Sequence, residues 1–123
     1  IKLNPQFSLA YHNRGNIYKE LGDLKRAIAD YDNALRIEPN LDLAHLNRGN
    51  AYQDTGNFNL AIRDYSQAIK NNPFLASAYR GRATAYFFMR QYQKSWEDVR
   101  KLEELGYKME PEFIKKLRKA KDE

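Results

Sequence analysis

The chain has 123 residues, of which 42% are hydrophobic and 30% are charged, as in one small globular domain. It contains no cysteine, which excludes disulfides, thiolate metal sites and a thiol nucleophile, and weakly favours a reducing compartment such as the cytoplasm. The net charge is +5, and no apolar run approaches the roughly 18 residues of a membrane-spanning helix.

The first five residues, Ile1 to Pro5, resemble residues 35–39 and 69–73, which also end in proline. A proline ends a helix because it lacks an N–H donor and clashes with the preceding turn. We therefore interpret residues 1–7 as the end of a truncated repeat. Since the chain opens on isoleucine rather than methionine, we expect a longer parent protein with at least one further repeat before this one.

A six-residue segment recurs along the chain at a fixed interval. It reads NRGNIY at residues 13–18, NRGNAY at residues 47–52 and, in altered form, GRATAY at residues 81–86. The interval is 34 residues, and a period of this size indicates a stack of similar units. The sequence predicts three units, at residues 8–41, 42–75 and 76–109.

Each unit is predicted to contain two helices, because apolar residues recur at every third or fourth position. Gly22 ends the first helix, since glycine adopts the left-handed conformation of a C-terminal cap without steric cost, and Asp23 caps the second. The second unit repeats this arrangement at Gly56 and Asn57. In the third unit Arg90 replaces the glycine at a cost of about 1 kcal/mol, which predicts a looser or differently shaped turn.

The last segment, residues 110–123, is predicted to be a capping helix over residues 111–121. Pro111 suits the first turn of a helix, and Phe113, Leu117 and Ala120 repeat the apolar spacing of the third unit. The other face carries Lys115, Lys116, Arg118, Lys119 and Lys121. We interpret it as a solvated outer face rather than a nucleic-acid or lipid site, because no base-stacking aromatics are interleaved with these cations.

Small residues recur where paired helices would cross most closely, at Gly15, Gly49, Ala83, Ala27, Ala61 and Ser95. One helix pair cannot bury its apolar faces alone, so stacked pairs form a continuous core in which tyrosines fill the remaining space. This period and these residues resemble the tetratricopeptide repeat family over the whole chain. The resemblance implies a single all-α domain over residues 1–123, an α-α superhelix of three helix-turn-helix repeats and a C-terminal capping helix. It also implies a concave groove that binds a peptide.

Four asparagines form a ladder in the first helices of two units. Asn13 and Asn16 return as Asn47 and Asn50, three residues apart and therefore on one helical face. A carboxamide offers a donor and an acceptor, which suits the backbone of an extended peptide whatever its sequence. We favour this role over solvent-exposed polarity or internal hydrogen bonding.

The resemblance implies further groove residues beside the ladder. They are Leu9, His12, Lys19 and Glu20, then Leu43, Leu46, Gln53 and Asp54, and finally Ser77, Arg80, Phe87 and Phe88. Together with Thr84, which stands at a ladder position of the third unit, we take His12, Leu46, Arg80, Phe87 and Phe88 as candidate peptide contacts. An apolar ligand side chain is placed near the phenylalanine pair, although such a pair suits the core equally well.

Some members of the family hold the acidic tail of a heat-shock chaperone with two lysines, an arginine and two asparagines. Asn16 and Asn47 match the two asparagines of that clamp. His12, Ser77 and Gly81 stand at the three cationic places, so the clamp is mostly missing, with Arg80 as a partial substitute.

A charge pair recurs in all three units. Each of Arg14, Arg48 and Arg82 precedes an aspartate by 16 residues, namely Asp30, Asp64 and Asp98. We interpret these as half-buried structural ion pairs that set the register of the two helices in each unit.

No motif for catalysis or metal binding is present. The chain lacks a phosphate-binding glycine loop, a nucleophile elbow and a phased metal-ligand set, and we interpret His12 and His45 as groove or surface residues. No cofactor is expected. The leading hypothesis is a non-catalytic interaction module that binds an extended protein or peptide segment in its groove. The alternatives are a self-assembling scaffold that forms homo-oligomers and the substrate-presenting arm of a larger enzyme. Nucleic acid is disfavoured because Glu20 and Asp54 lie in the predicted groove.

Overall fold

The computed structural model describes residues 4–121, and this range consists of α-helices joined by short turns. The seven helices are α1 (Pro5–Glu20), α2 (Leu24–Ile37), α3 (Asp42–Asp54), α4 (Phe58–Asn71), α5 (Ala76–Phe88), α6 (Tyr92–Glu104) and α7 (Pro111–Lys121). The predicted all-α superhelix of paired helices is confirmed. Within the described range, no helix is both long and apolar enough to cross a membrane.

The start of α1 differs from the prediction. The Asn4 side chain accepts a hydrogen bond from the Gln6 backbone N–H, and Pro5 occupies the first turn of the helix. The equivalent prolines, Pro39 and Pro73, lie instead in the turns between units. Pro5 therefore lies in the first turn of α1, where its missing N–H costs nothing, and Asn4 caps the helix. The rest of the predicted preceding repeat, residues 1–3, lies outside the described residues.

The turns inside the three units have the same shape. Gly22 and Gly56 have a φ of 82°, and Arg90 has a φ of 60°, so all three are left-handed. In each turn this residue donates its N–H to the carbonyl three residues earlier, and the next residue donates to the carbonyl five residues earlier. The prediction of a looser turn at Arg90 is therefore wrong: packing of α5 against α6 holds a conformation that arginine disfavours.

Replacing Arg90 with glycine is expected to raise the free energy of unfolding by about 0.5–1 kcal/mol. The substitution removes the strain of a left-handed side chain, and the greater freedom of glycine in the unfolded chain offsets part of the gain. Urea denaturation followed by circular dichroism measures the difference. Arg100→Gly, in the exposed interior of α6, is the matched control and should destabilise by about 1 kcal/mol. A loss of stability in Arg90→Gly would contradict the strain.

The core lies where the helices of one unit cross and where successive units stack. Tyr31 and Tyr65 are fully buried. A Cβ atom on Gly15 would lie 2.8 Å from Tyr31 Cε1, and one on Gly81 would lie 2.5 Å from Tyr65 Cζ. Glycine is therefore required at Gly15 by the tyrosine of its own unit, and at Gly81 by the tyrosine of the preceding unit.

The first helices of successive units face one another. The pairs α1 and α3, and α3 and α5, are in contact in addition to the helix pairs within each unit. Each second helix also contacts the first helix of the next unit, and α6 contacts α7 in the same way. This arrangement places α1, α3 and α5 along the inner side of the superhelix, where a groove forms.

A side chain of each later unit binds the proline carbonyl that precedes the unit. His45 Nε2 lies 2.9 Å from the Pro39 carbonyl oxygen, and the Tyr79 hydroxyl donates to that of Pro73 at 2.9 Å. His45 is buried, and its Nδ1 atom lies 3.1 Å from Asp64 Oδ1. The interpretation of His45 as a groove or surface residue is therefore wrong, because it connects two units.

Candidate functional site

Two ladder asparagines are oriented by buried tyrosines. The Tyr31 hydroxyl donates to Asn16 Oδ1 at 2.6 Å, and the Tyr65 hydroxyl donates to Asn50 Oδ1 at 2.5 Å. Burial raises the pKa of Tyr31 to about 12 and also raises the pKa of Tyr65, so both phenols keep their protons at neutral pH. Because each carboxamide oxygen is held by a phenol, its amino group is turned away from the phenol and remains a donor.

This asparagine–tyrosine pairing was not predicted, although the sequence contains a signal for it. The two residues are 15 positions apart in both of the first two units. In the third unit both change together, to Thr84 and Val99, and the Thr84 hydroxyl donates instead to the Arg80 carbonyl of its own helix. The third unit therefore lacks both members of the pair.

Asn47 and His12 form a contact between the first two units. Asn47 Nδ2 lies 2.9 Å from His12 Nε2, and because an amide NH2 group can only donate, Nε2 is the acceptor. This arrangement requires a neutral imidazole, and burial lowers the pKa of His12 accordingly. His12 is buried beside Tyr31, so it supports the groove wall rather than lining an open groove as predicted. The Asn47 carboxamide oxygen remains available as an acceptor.

The stability of the chain is expected to fall on acidification because of His12. Its pKa is lowered on folding by desolvation, so the unfolded chain takes up the proton first as the pH drops below about 6.5. The free energy of unfolding should then decrease by at most about 1.4 kcal/mol per pH unit. Urea denaturation at about pH 7 and about pH 5 measures the change, and the difference between wild type and His12→Gln isolates this histidine. An identical pH dependence in the two proteins would contradict the assignment.

The part of the groove formed by the first two units contains a cleft of about 360 Å³. It is lined by Asn16, Lys19, Glu20, Asn47 and Asp54. It brings together one ladder asparagine from each of the first two units. Asn13 is exposed, and neither Asn13 nor Asn50 lines this cleft. Charges of both signs surround the two carboxamides, so the cleft favours a polar backbone over a strongly charged ligand.

Two residues predicted to line the groove in the second and third units are instead covered by neighbouring helices. Leu46 is buried in a core cluster with Tyr65 and Ala78, and Phe87 packs against Phe113 with ring centroids 5.4 Å apart. The predicted groove positions of Leu46 and Phe87 are therefore corrected to core positions. Leu46 is covered by the neighbouring unit, and Phe87 is covered by α7.

Two further predicted contacts remain at the surface. Arg80 Nη1 donates to Glu110 Oε1 at 2.7 Å, so its charge is already paired by a partly exposed carboxylate. Phe88 is exposed and stacks on Phe58, with ring centroids 5.0 Å apart and planes within 14° of parallel. Phe58, half-buried at the start of α4, was not predicted to contribute to the groove. It forms an aromatic pair with the exposed Phe88 at the border of the second and third units.

The three charge pairs have nearly identical geometry. In each, the arginine Nε and Nη2 atoms donate to both oxygens of the aspartate at 2.8–2.9 Å. All three aspartates are buried. Burial raises the pKa of Asp98, and the hydrogen bond and charge of Arg82 oppose this. The hydrogen bond and charge of Asp30 raise the pKa of Arg14. Burial lowers the pKa of Arg48 and Arg82, but the hydrogen bonds and charges of their aspartates together outweigh it, so both pKa values are raised. The predicted pairs are thus present in all three units, and each joins the two helices of its unit through a bidentate contact.

No metal site is apparent in the described part of the chain, where no three histidine or acidic side chains are grouped as ligands.

Comparisons with known proteins agree with this geometry. The sequence model of a family described as "TPR repeat" matches residues 15–56, and that of a family described as "Tetratricopeptide repeat" matches residues 43–75. The chain is similar to the first TPR of Spaghetti (RPAP3), solved with the HSP90 peptide SRMEEVD. The TM-score is 0.86 at 27% identity, covering 99% of this chain and 96% of that chain.

Two other solved structures are similar over most of the chain. The second TPR domain of human RPAP3, in complex with the HSP70 peptide SGPTIEEVD, matches with a TM-score of 0.84 at 25% identity, covering 96% of this chain and 98% of that chain. The Sgt2 TPR domain from Aspergillus fumigatus matches with a TM-score of 0.81 at 26% identity, covering 94% of this chain and 77% of that chain.

Proposed function

Because the chain belongs to the tetratricopeptide repeat family, we propose that it is a protein-interaction module whose groove binds the backbone of an extended peptide. The observation that carries the proposal is the orientation of the groove carboxamides. Tyr31 occupies the oxygen of Asn16, which lines the cleft, so the amino group of Asn16 is left to donate to a carbonyl group of the ligand. Tyr65 holds the oxygen of Asn50 in the same way, outside the cleft. Asn47 is held in the opposite sense by His12, and its oxygen accepts from a ligand N–H.

An acidic chaperone tail does not fit this groove well, although two of the similar structures were solved with such peptides. The cationic places of the clamp hold a buried neutral His12, an exposed Ser77 and Gly81, where the Tyr65 ring leaves no room for a side chain. Lys19 is balanced in the cleft by Glu20 and Asp54. We therefore propose a ligand without a run of carboxylates, with one apolar side chain seated against the exposed Phe88, which stacks on Phe58.

A peptide selection tests this proposal. A phage-displayed library of random peptides is selected on the protein, and fluorescence polarisation then measures the selected peptides and SRMEEVD. We expect selected peptides to share an apolar residue rather than acidic residues, and to bind more tightly than SRMEEVD. Asn16→Ala combined with Asn47→Ala should weaken binding by roughly tenfold or more, because two hydrogen bonds to the ligand are lost.

Two controls separate the groove from the fold. Asn59→Ala removes an exposed asparagine of α4 and should leave the affinity unchanged. Tyr31→Phe keeps the ring but frees the Asn16 carboxamide to rotate, so it should weaken binding by a smaller factor than Asn16→Ala. Full affinity in the folded double variant would disprove the proposed groove contacts.

A further inference from the structure

The oriented carboxamides of the groove differ in the kind of group that holds them. Asn16 and Asn50 each accept from a buried tyrosine hydroxyl. Burial raises the pKa of both phenols above their ordinary value, so neither hydroxyl loses its proton near neutral pH or below it. Asn47 instead donates from Nδ2 to Nε2 of His12, at 2.9 Å. An imidazole changes its charge within the physiological pH range, so the orientation of Asn47 depends on a proton and that of the other two does not.

The His12 ring has no room to leave its place when it takes up a proton. It is 7% exposed, and its centroid lies 5.9 Å from the centroid of the Tyr31 ring in α2. It also forms a hydrogen bond with the backbone of Leu43 in α3. Helices of two units therefore enclose the ring, and any adjustment to its protonation has to come from the side chain that faces Nε2.

Charged side chains surround the contact without controlling it. The titratable groups that face it are Tyr31 from α2, Lys19 and Glu20 from α1, and Asp54 from α3. The pKa of His12 is lowered by burial, and the hydrogen bond with the Leu43 backbone opposes this. These causes involve no charged neighbour. The surrounding groups are also the same in variants that differ only at residue 12, so such variants separate His12 from them.

Protonation of His12 removes the acceptor that Asn47 uses. An imidazolium carries a proton on both nitrogens, so Nε2 would become a donor facing the Asn47 amino group, which is also a donor. Half a turn of the carboxamide about its last torsion relieves this conflict, because that torsion is roughly two-fold and the turn exchanges two groups of similar size. Asn47 is partly exposed and lines the open cleft, so it has room to turn.

We infer that His12 is a proton switch of the peptide groove: when Nε2 is protonated, the Asn47 carboxamide inverts, and the group that it presents to the cleft changes from an acceptor to a donor. This inference rests on the proposed peptide-binding function. With neutral His12, Asn16 donates and Asn47 accepts, which suits the C=O and N–H groups of an extended backbone. With protonated His12 both asparagines donate, so a backbone N–H of the ligand meets a donor. A peptide bound at neutral pH is then released on acidification.

The switch is specific to the contact between the first two units. In the next unit, Leu46 and Gly81 stand at the places of His12 and Asn47, and neither has a polar side chain. The second histidine of the chain, His45, is buried in contacts that do not include a ladder asparagine. Its titration is therefore common to the wild type and to any variant at residue 12.

The inversion is tested first on the free protein. Two isotope-labelled nitrogens joined by an N–H···N hydrogen bond share a scalar coupling, which NMR detects. We expect this coupling between Asn47 Nδ2 and His12 Nε2 at about pH 7.5, and we expect it to vanish as Nε2 becomes protonated. The side-chain amide signals of Asn16, which is held by a phenol, should change much less. A coupling that is absent at neutral pH, or that persists after His12 is protonated, would overturn the inference.

Fluorescence polarisation then measures the effect on binding. The probe is the tightest peptide from the selection proposed above, carried out at about pH 7.5 and measured there and at about pH 5. Because the proton and the ligand compete, the affinity of the wild type should fall about three- to tenfold. In His12→Gln the glutamine oxygen accepts from Asn47 at either pH, so most of this loss should disappear. Circular dichroism checks that both proteins remain folded. Equal losses in the two proteins would contradict the switch.

Amide-to-ester changes in the probe peptide locate the inverted contact. Each ester removes one backbone N–H, and the ester opposite Asn47 should weaken binding at about pH 7.5 but have little effect at about pH 5. A set of esters in which no position behaves in this way would overturn the inference. Failure of the proposed function has a different signature: full affinity of the Asn16→Ala, Asn47→Ala protein at neutral pH would disprove the groove contacts, while the coupling in the free protein would still report on the inversion.

Discussion

Replacing Asp64 with alanine is expected to lower the free energy of unfolding by about 3–5 kcal/mol, the largest effect among the charge pairs. Its carboxylate accepts from Arg48 Nε and Nη2 and lies 3.1 Å from His45 Nδ1. Removing it leaves the half-buried Arg48 with only the exposed Asp32, and leaves the buried His45 with only the Pro39 carbonyl. The loss therefore breaks three contacts within the second unit and removes the support of His45 and Arg48, the two side chains that connect this unit to the first. Urea denaturation followed by circular dichroism measures it.

Asp30→Ala is the matched control, since this residue makes the same bidentate contact with a more exposed arginine. It should cost clearly less, because solvent reaches Arg14 when the carboxylate is removed. Asp98→Ala should fall between the two, since Arg82 is as enclosed as Arg48 and keeps a bond to Ser66, but no histidine depends on Asp98. Equal losses in all three variants would show that neither the burial of the arginine nor the contact with His45 contributes to the cost of removing the aspartate.

The helices and their pairing could be predicted because they depend on local patterns that recur. Glycine caps, apolar spacing and the period of 34 residues place the elements, and the spacing of 16 residues places each arginine near its aspartate. The turn at Arg90 departs from its local preference, because the packing of two helices outweighs a strain of about 1 kcal/mol.

The groove was harder to predict because its lining depends on neighbours that are distant in sequence. His12 meets Asn47 across 35 residues, and Phe87 meets Phe113 across the turn before α7. Whether a side chain at a groove position remains exposed depends on the size of its neighbour in the next unit. The sequence of one repeat does not contain this information. The pairing of Asn16 with Tyr31 could have been predicted from the sequence, because both residues recur in the second unit and both are replaced in the third.

The capping helix α7 covers the aromatic residues of α5 at the third-unit end of the groove. Leu117 is fully buried in a cluster with Ala83, Val99, Leu102 and Met109. Phe113 in the same helix covers Phe87, and Glu110, just before α7, pairs with Arg80. The third unit thus depends on α7 for a covering that the first two units receive from the next unit.

Replacing Leu117 with alanine is expected to cost about 2–5 kcal/mol, because it leaves a cavity at the centre of this cluster. Stability in a stack of repeats is a sum over neighbouring units, so the loss should fall on α7 and the adjoining faces of α5 and α6 rather than on the whole chain. Native-state hydrogen exchange tests this: the amides of α7 should exchange much faster, while those of α2 and α3 keep most of their protection. Lys116→Ala, on the exposed side of the same helix, is the control and should leave both patterns unchanged. Uniform loss of protection from α1 to α7 would mean that the units unfold as one body, and that α7 stabilises the peptide groove as a whole.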